Sequence, residues 1–98
     1  MPLTTSQTKN LRGQAHRLKP VVMVGQHGLK ETVLEEIEIA LDSHELIKVK
    51  IAADKAERLE IADAILKASL AELVQHIGQM IILFRRNPEK PKIIIPSK

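Results

Sequence analysis

The segment Val21-Val22-Met23-Val24-Gly25-Gln26-His27-Gly28-Leu29 restricts the fold more than any other part of the chain. Its first four residues form an apolar, mostly β-branched run, which reads as a buried strand. Two glycines follow. From Leu29 to about Ser43, Val33, Ile37, Ala40 and Leu41 recur at helical spacing, with Leu34 beside them. Leu46-Ile47-Lys48-Val49-Lys50-Ile51 then alternates with period two: Ile47, Val49 and Ile51 point one way, Lys48 and Lys50 the other. Strand, glycine turn, helix and strand in succession make a βαβ unit. Its crossover is right-handed, which sets the two strands parallel in one sheet.

The remaining elements must fit around that unit. Thr4 to Arg17 reads as a helix opened by a Thr4/Gln7 capping box, with Leu11, Ala15 and Leu18 on one face. Gly13 weakens it and Pro20 stops it. Asp54 and Glu57 open a third helix that ends near Leu70, with Leu59, Ala62, Ile65 and Leu66 as its core face and Ile61 at the margin. Leu73–Ile77 and Met80–Arg85 form a hairpin, and Gly78-Gln79 suits a type II′ turn. Pro88, Pro91 and Pro96 surround Ile93-Ile94-Ile95, so the tail from about residue 87 is extended and at most an edge strand. The expectation is a single α/β domain spanning residues 1–98, in the order α-β-α-β-α-β-β, with helices packed on a mixed four-stranded sheet.

Charge is unevenly laid out. Residues 1–30 carry Lys9, Arg12, Arg17, Lys19 and Lys30 and no acid. Residues 31–45 carry Glu31, Glu35, Glu36, Glu38, Asp42 and Glu45 and no base. The C-terminal stretch from Phe84 carries Arg85, Arg86, Lys90, Lys92 and Lys98 against Glu89 alone. A fold that brings both ends to one side would make a strongly positive face, suited to an anionic partner. No apolar run approaches the ~20 residues of a membrane span, and no leader pattern opens the chain, so the expected location is cytoplasmic. There is no cysteine, which excludes disulfides and thiolate chemistry. Phe84 is the lone aromatic residue. Single-strand binders that stack bases on aromatic platforms need more than one. Any nucleic-acid contact should therefore run mainly through phosphate, sugar and shape.

The glycine turn is suited to such contact. A helix N-terminus offers unpaired N–H groups and partial positive charge, and glycine lets a phosphate come close to the backbone. GxxG is the loop with which KH domains clamp a nucleic-acid backbone. A tight strand-to-helix turn can also use two glycines for geometry alone. Here Lys19 and Lys30 bracket the loop in sequence and His27 lies inside it, where it either contacts phosphate or stands as an exposed loop residue. No GxxxxGK[ST] or GxGxxG is present, so this is neither a P-loop nor a dinucleotide turn.

Nothing in the chain assembles a catalyst. His16, His27, His44 and His76 fall on different expected elements without metal-ligand spacing. His44 reads as a cap of the second helix and His76 as a sheet residue. Ser6, Ser43, Ser69 and Ser97 lack a nucleophile elbow. No enzyme, metal or cofactor is expected. An alternative binder remains open: the acidic helix Glu31–Glu45 could dock a basic protein.

Lys19-Pro20-Val21-Val22 leading into Gly25-Gln26-His27-Gly28-Leu29, followed by His44-Glu45-Leu46-Ile47-Lys48-Val49-Lys50, resembles the CRM domain (chloroplast RNA splicing and ribosome maturation) and its free-standing bacterial YhbY family. Leu11-Arg12-Gly13-Gln14-Ala15-His16 is similar to that family too, and the likeness runs from about Thr4 to Ile95. The resemblance implies a fold similar to the C-terminal domain of bacterial translation initiation factor three. It implies RNA binding at Gly25, Gln26, His27 and Gly28 and over adjacent basic surface, where Lys9, Arg12, Lys19, Lys30, Lys48, Lys50, Arg85 and Arg86 are the candidates. It also implies ribosomal RNA of large-subunit precursors as the partner, bound by a monomer with no DNA specificity and no membrane. Lys30 stands where threonine is common in that family.

Overall fold

The computed structural model describes residues 2–25 and 27–97. The elements follow the expected order: α1 (Thr5–Ala15), β1 (Val22–Val24), α2 (Glu31–His44), β2 (Leu46–Ile51), α3 (Lys55–Ser69), β3 (Glu72–Ile77) and β4 (Met80–Phe84). The sheet runs β1-β2-β4-β3, with β1 and β2 parallel and the other pairs antiparallel. β2 is thus a central strand, and both its edges are occupied.

The period-two alternation of β2 sorts the protein into two cores. Ile47, Val49 and Ile51 join Val24, Ile37, Leu41, Ile65, Ile81 and Leu83 beneath α2 and α3. On the other face Leu46 joins Leu11 and Ala15 of α1 with Val74, Ile82 and Phe84. Every residue of the first set is 0–1% exposed, so β2 cannot slip by one position without forcing lysines into that core.

The caps behave as the sequence implies. Gln7 N–H donates to Thr4 Oγ1 and Thr4 N–H to Gln7 Oε1, both at 3.0 Å, completing the capping box of α1. Asp54 Oδ1 accepts from Glu57 N–H at 2.9 Å at the start of α3. Gly78 takes a φ of 55° and Gln79 does not enter the positive region, as a type II′ turn requires.

Several expectations need correction. β1 is not a buried strand: its pattern alternates, and Val21 and Met23 are 52% and 59% exposed. It is an edge strand paired only with β2. Leu18 lies beyond the end of α1, which stops at Ala15 before Pro20 could interrupt it, and is 37% exposed outside the buried core. Leu59 faces solvent, while Ala62 and Ile65 carry the buried stripe of α3. The tail forms no strand. It runs back along α1, with Gln7 Nε2 donating to the Pro96 carbonyl at 2.9 Å and Gln14 Nε2 to the Ile94 carbonyl at 2.8 Å.

Glu45 holds that tail. It is the single residue between α2 and β2, with a φ of 62° and no exposed surface. The cap of α2 is therefore Glu45 and not His44, whose ring lies at an open cavity between α1 and the tail. The Glu45 carboxylate accepts from Asn87 N–H at 2.6 Å, Lys92 N–H at 2.6 Å and Ile93 N–H at 2.8 Å, and Arg86 Nη1 lies 3.1 Å away. Burial alone pushes such a carboxyl up. The three backbone donors and Arg86 outweigh it, so the group titrates below its ordinary value.

A depressed carboxyl contributes stability that is complete above the ordinary carboxylate range and fades as pH falls through the folded value. Glu45→Gln should accordingly cost about 2 kcal/mol at neutral pH. It should also speed hydrogen exchange at Asn87, Lys92 and Ile93 while α3 stays protected. Acidification of the parent protein below about pH 4 should produce the same selective tail opening.

Candidate nucleic-acid interface

The loop leaves β1 where Ala52 N–H donates to the Val24 carbonyl at 2.9 Å, tying the exit to the end of β2. Gly28 N–H then donates to the Gly25 carbonyl at 3.1 Å, closing a four-residue turn. Gly28 sits at a φ of 80°, a conformation that disfavours any side chain. Gly25 has ordinary geometry, and a Cβ built there meets no atom within 4 Å. Packing therefore does not demand glycine at Gly25. What its missing side chain leaves is open approach to the backbone. His27 is exposed, and Gln26 lies outside the described residues. α2 opens on Lys30 with no side chain hydrogen-bonded to its leading amides. The negative Glu31 in the first turn is the one feature of this end that opposes an anion.

β2 brings cations to the same place. Lys50 is paired with Met23, one residue from the end of β1, and Lys48 lies two residues back on the same face. Both are half-buried on the α1 side of the sheet. Arg12 projects from the flank of α1 above this surface, and its Nε donates to the Val74 carbonyl at 3.2 Å. Lys9 stands with Gly13 on the outward ridge of α1, and Arg17 lies beside them just beyond the helix end. Among the described residues, none of Lys9, Arg12, Arg17, Lys19, Lys30, Lys48 or Lys50 has a carboxylate within ion-pair distance.

Three candidates from the sequence are not brought to the loop. Lys19 lies at the opposite end of β1, lining the open cavity with Leu18, Val21 and Lys92, so the two lysines that flank the glycines in sequence do not flank them in space. Arg85 follows β4 at the Leu46 end of the sheet, the end remote from Lys50. It is consumed by α2 and α3: Nη1 donates to Glu38 at 2.7 Å and to the Ser69 carbonyl at 2.8 Å, and Nη2 to Asp42 at 2.9 Å. Arg86 lies over the Phe84 ring at 5.4 Å and bonds Glu45 and the Ile93 carbonyl. These two arginines hold the fold together. The same contacts shrink the acidic surface of α2, since Glu38 and Asp42 both serve Arg85, and Glu45 beyond the helix end serves Arg86.

The two basic ends of the chain do meet on one side. α1 and the tail share a face of the sheet, and α2 with its carboxylates covers the other. No helix among the described residues is long and apolar enough to cross a membrane, and no group of three or more His, Asp or Glu residues is placed to hold a metal.

The model of the CRS1/YhbY (CRM) domain matches residues 3–85. The chain belongs to that family. Among its CRM relatives, an RNA-binding protein of Haemophilus influenzae is 50% identical over 97 residues, which cover 98% of this chain and 97% of that protein. The probable RNA-binding protein YqeI of Bacillus subtilis is 36% identical over 95 residues, covering 96% and 99%. The solution structure of a hypothetical protein of Staphylococcus aureus superposes with a TM-score of 0.83 at 34% identity, over 97% of this chain and 100% of the other. The CRM match spans every secondary-structure element and stops at Arg85, where the tail begins.

The division of cations into free and committed ones has a direct consequence. Arg85→Ala should lower stability by roughly 1–2 kcal/mol, because it abandons Glu38, Asp42 and the Ser69 carbonyl together. Lys50→Ala should stay within about 0.5 kcal/mol of the parent. Urea midpoints at constant slope would check both.

Proposed function

We propose that this CRM protein binds RNA without catalysing a reaction, gripping the sugar-phosphate backbone between the GxxG loop and the free cations of the α1 face. The observation that carries this reading is the separation of charge just described. Lys30 and Lys50 have no carboxylate partner and adjoin a turn that is open to close approach, with Lys48 and Arg12 equally free on the α1 face beyond them, whereas Arg85 and Arg86, remote from the turn, are already paired. An unpaired lysine half-buried on a sheet gains most from an anion that arrives with its own counterions to release. The names of the Haemophilus and Bacillus relatives support RNA as that anion.

The same reading takes the RNA to be ribosomal RNA in precursors of the large subunit, bound in the cytoplasm by a monomer during assembly. The Gly25–Leu29 and His44–Lys50 blocks support that assignment through their resemblance to YhbY. Docking of a basic protein on α2 is less well supported, since two of its five acids, Glu38 and Asp42, already have an internal partner and Glu45 just beyond it is buried.

Gly25→Glu places a carboxylate in the open approach without a steric penalty to the fold. It should weaken RNA binding at least about tenfold and leave the unfolding midpoint unchanged. Lys50→Ala should weaken binding about equally across RNA sequences and reduce the slope of log affinity against log salt by about 0.7 for single strands. Fluorescence polarisation across a salt series reads both. Unchanged affinity in Gly25→Glu would take the loop out of the mechanism.

A further inference from the structure

α1 covers only part of its face of the sheet. It packs where Leu46 and Phe84 pair, over Val74 and Ile82. Toward the loop end the sheet is bare. There one row crosses all four strands: Met23 pairs with Lys50, Lys50 with Met80, and Met80 with Ile77. Paired residues point to the same side, so these four side chains share the α1 face. Met23 is 59% exposed and Ile77 57% exposed, and Met80 and Lys50 are half-buried between them. Lys48 and Gln75, each paired with Ile82, form the next row toward α1.

We propose that this strip is a floor for the bases of unpaired nucleotides, so that the RNA held at the glycine loop is single-stranded where it crosses the sheet. The proposal rests on the reading that the loop and its cations bind RNA, and it names the form of RNA they take. Three features of the strip select this ligand. It begins beside Gly25, one residue beyond the strand that carries Met23, so a backbone held by the loop passes directly over it. Its apolar side chains flank Lys50, Lys48 stands in the next row, and neither row holds an acid, which suits a ligand that brings flat apolar faces and phosphates together. A protein partner covering the same area would have to supply carboxylates to both lysines.

The chemistry of the side chains fits as well. Methionine is flexible and polarisable and makes favourable sulfur contacts with aromatic rings, so Met23 and Met80 can do for a base what a rigid aromatic platform does elsewhere. Four strands span roughly 14 Å and two residues along a strand roughly 7 Å, room for about two bases. An A-form duplex keeps its base faces inside its own stack and offers this floor only sugars and edges.

The test compares three probes on the full chain: an oligouridine of about twelve nucleotides, an abasic strand with the same backbone, and an RNA duplex of similar length. In Met23→Ser/Ile77→Ser both altered side chains are exposed, so the unfolding midpoint should match the parent. Affinity for oligouridine should fall about tenfold, while affinities for the abasic strand and the duplex stay within about twofold. Lys48→Gln/Lys50→Gln should weaken all three. Oligouridine affinity kept within about twofold in the serine variant, or an equal loss on every probe, would overturn the base floor and leave the strip to a protein partner. Failure of the parent protein to bind any of the three would instead overturn the RNA reading itself.

Discussion

The alternation of β2 is the constraint on which the rest of the molecule depends. Its odd-numbered residues are sealed beneath α2 and α3, and its even-numbered ones face α1. Because β2 pairs on both edges, its register fixes that of β1 and β4 together. The same register sets Lys48 and Lys50 on an open surface and brings Lys50 level with the end of β1, where the glycine turn starts. Core and interface are thus two readings of one strand. A slip of one residue would bury two ammonium groups and dismantle both.

A second organising group acts at the other end of the sheet. Glu45 collects three tail amides and Arg86 on one buried carboxylate. In doing so it directs the tail along α1, so that the basic N- and C-terminal stretches share a face. Arg85 completes the polarity from the opposite side by neutralising Glu38 and Asp42. The long-range attraction for an anion then comes from cations left over after the fold has taken those it needs.

Much of this was legible in the chain. Element order, parallel β1 and β2, the hairpin turn and both side-chain caps followed from periodicity and local chemistry, because each depends on neighbours in sequence. The errors share a different cause. A run of valines says nothing about whether a strand lies at the edge of its sheet, so nothing local marks Met23 as exposed or the strip beside it as bare. Lys19 neighbours the loop in sequence, but an extended strand separates the two in space. Arg85 and Arg86 look like free cations in the sequence because their partners lie about forty residues away in the chain, on α2 and at the turn into β2. Glu45 looks like a surface acid for the same reason. A lone acid between a helix and a strand carries no local mark of burial.

On the proposed reading, RNA lies across the glycine loop and the α1 face of the sheet. Backbone amide shifts recorded during titration with a single-stranded RNA test it most directly. Changes should concentrate at Gly25, His27, Gly28, Lys30, Lys48, Lys50 and Arg12, with α3 and the Arg85 end silent. Changes centred on the outer surface of α2 and α3, with the loop undisturbed, would contradict it.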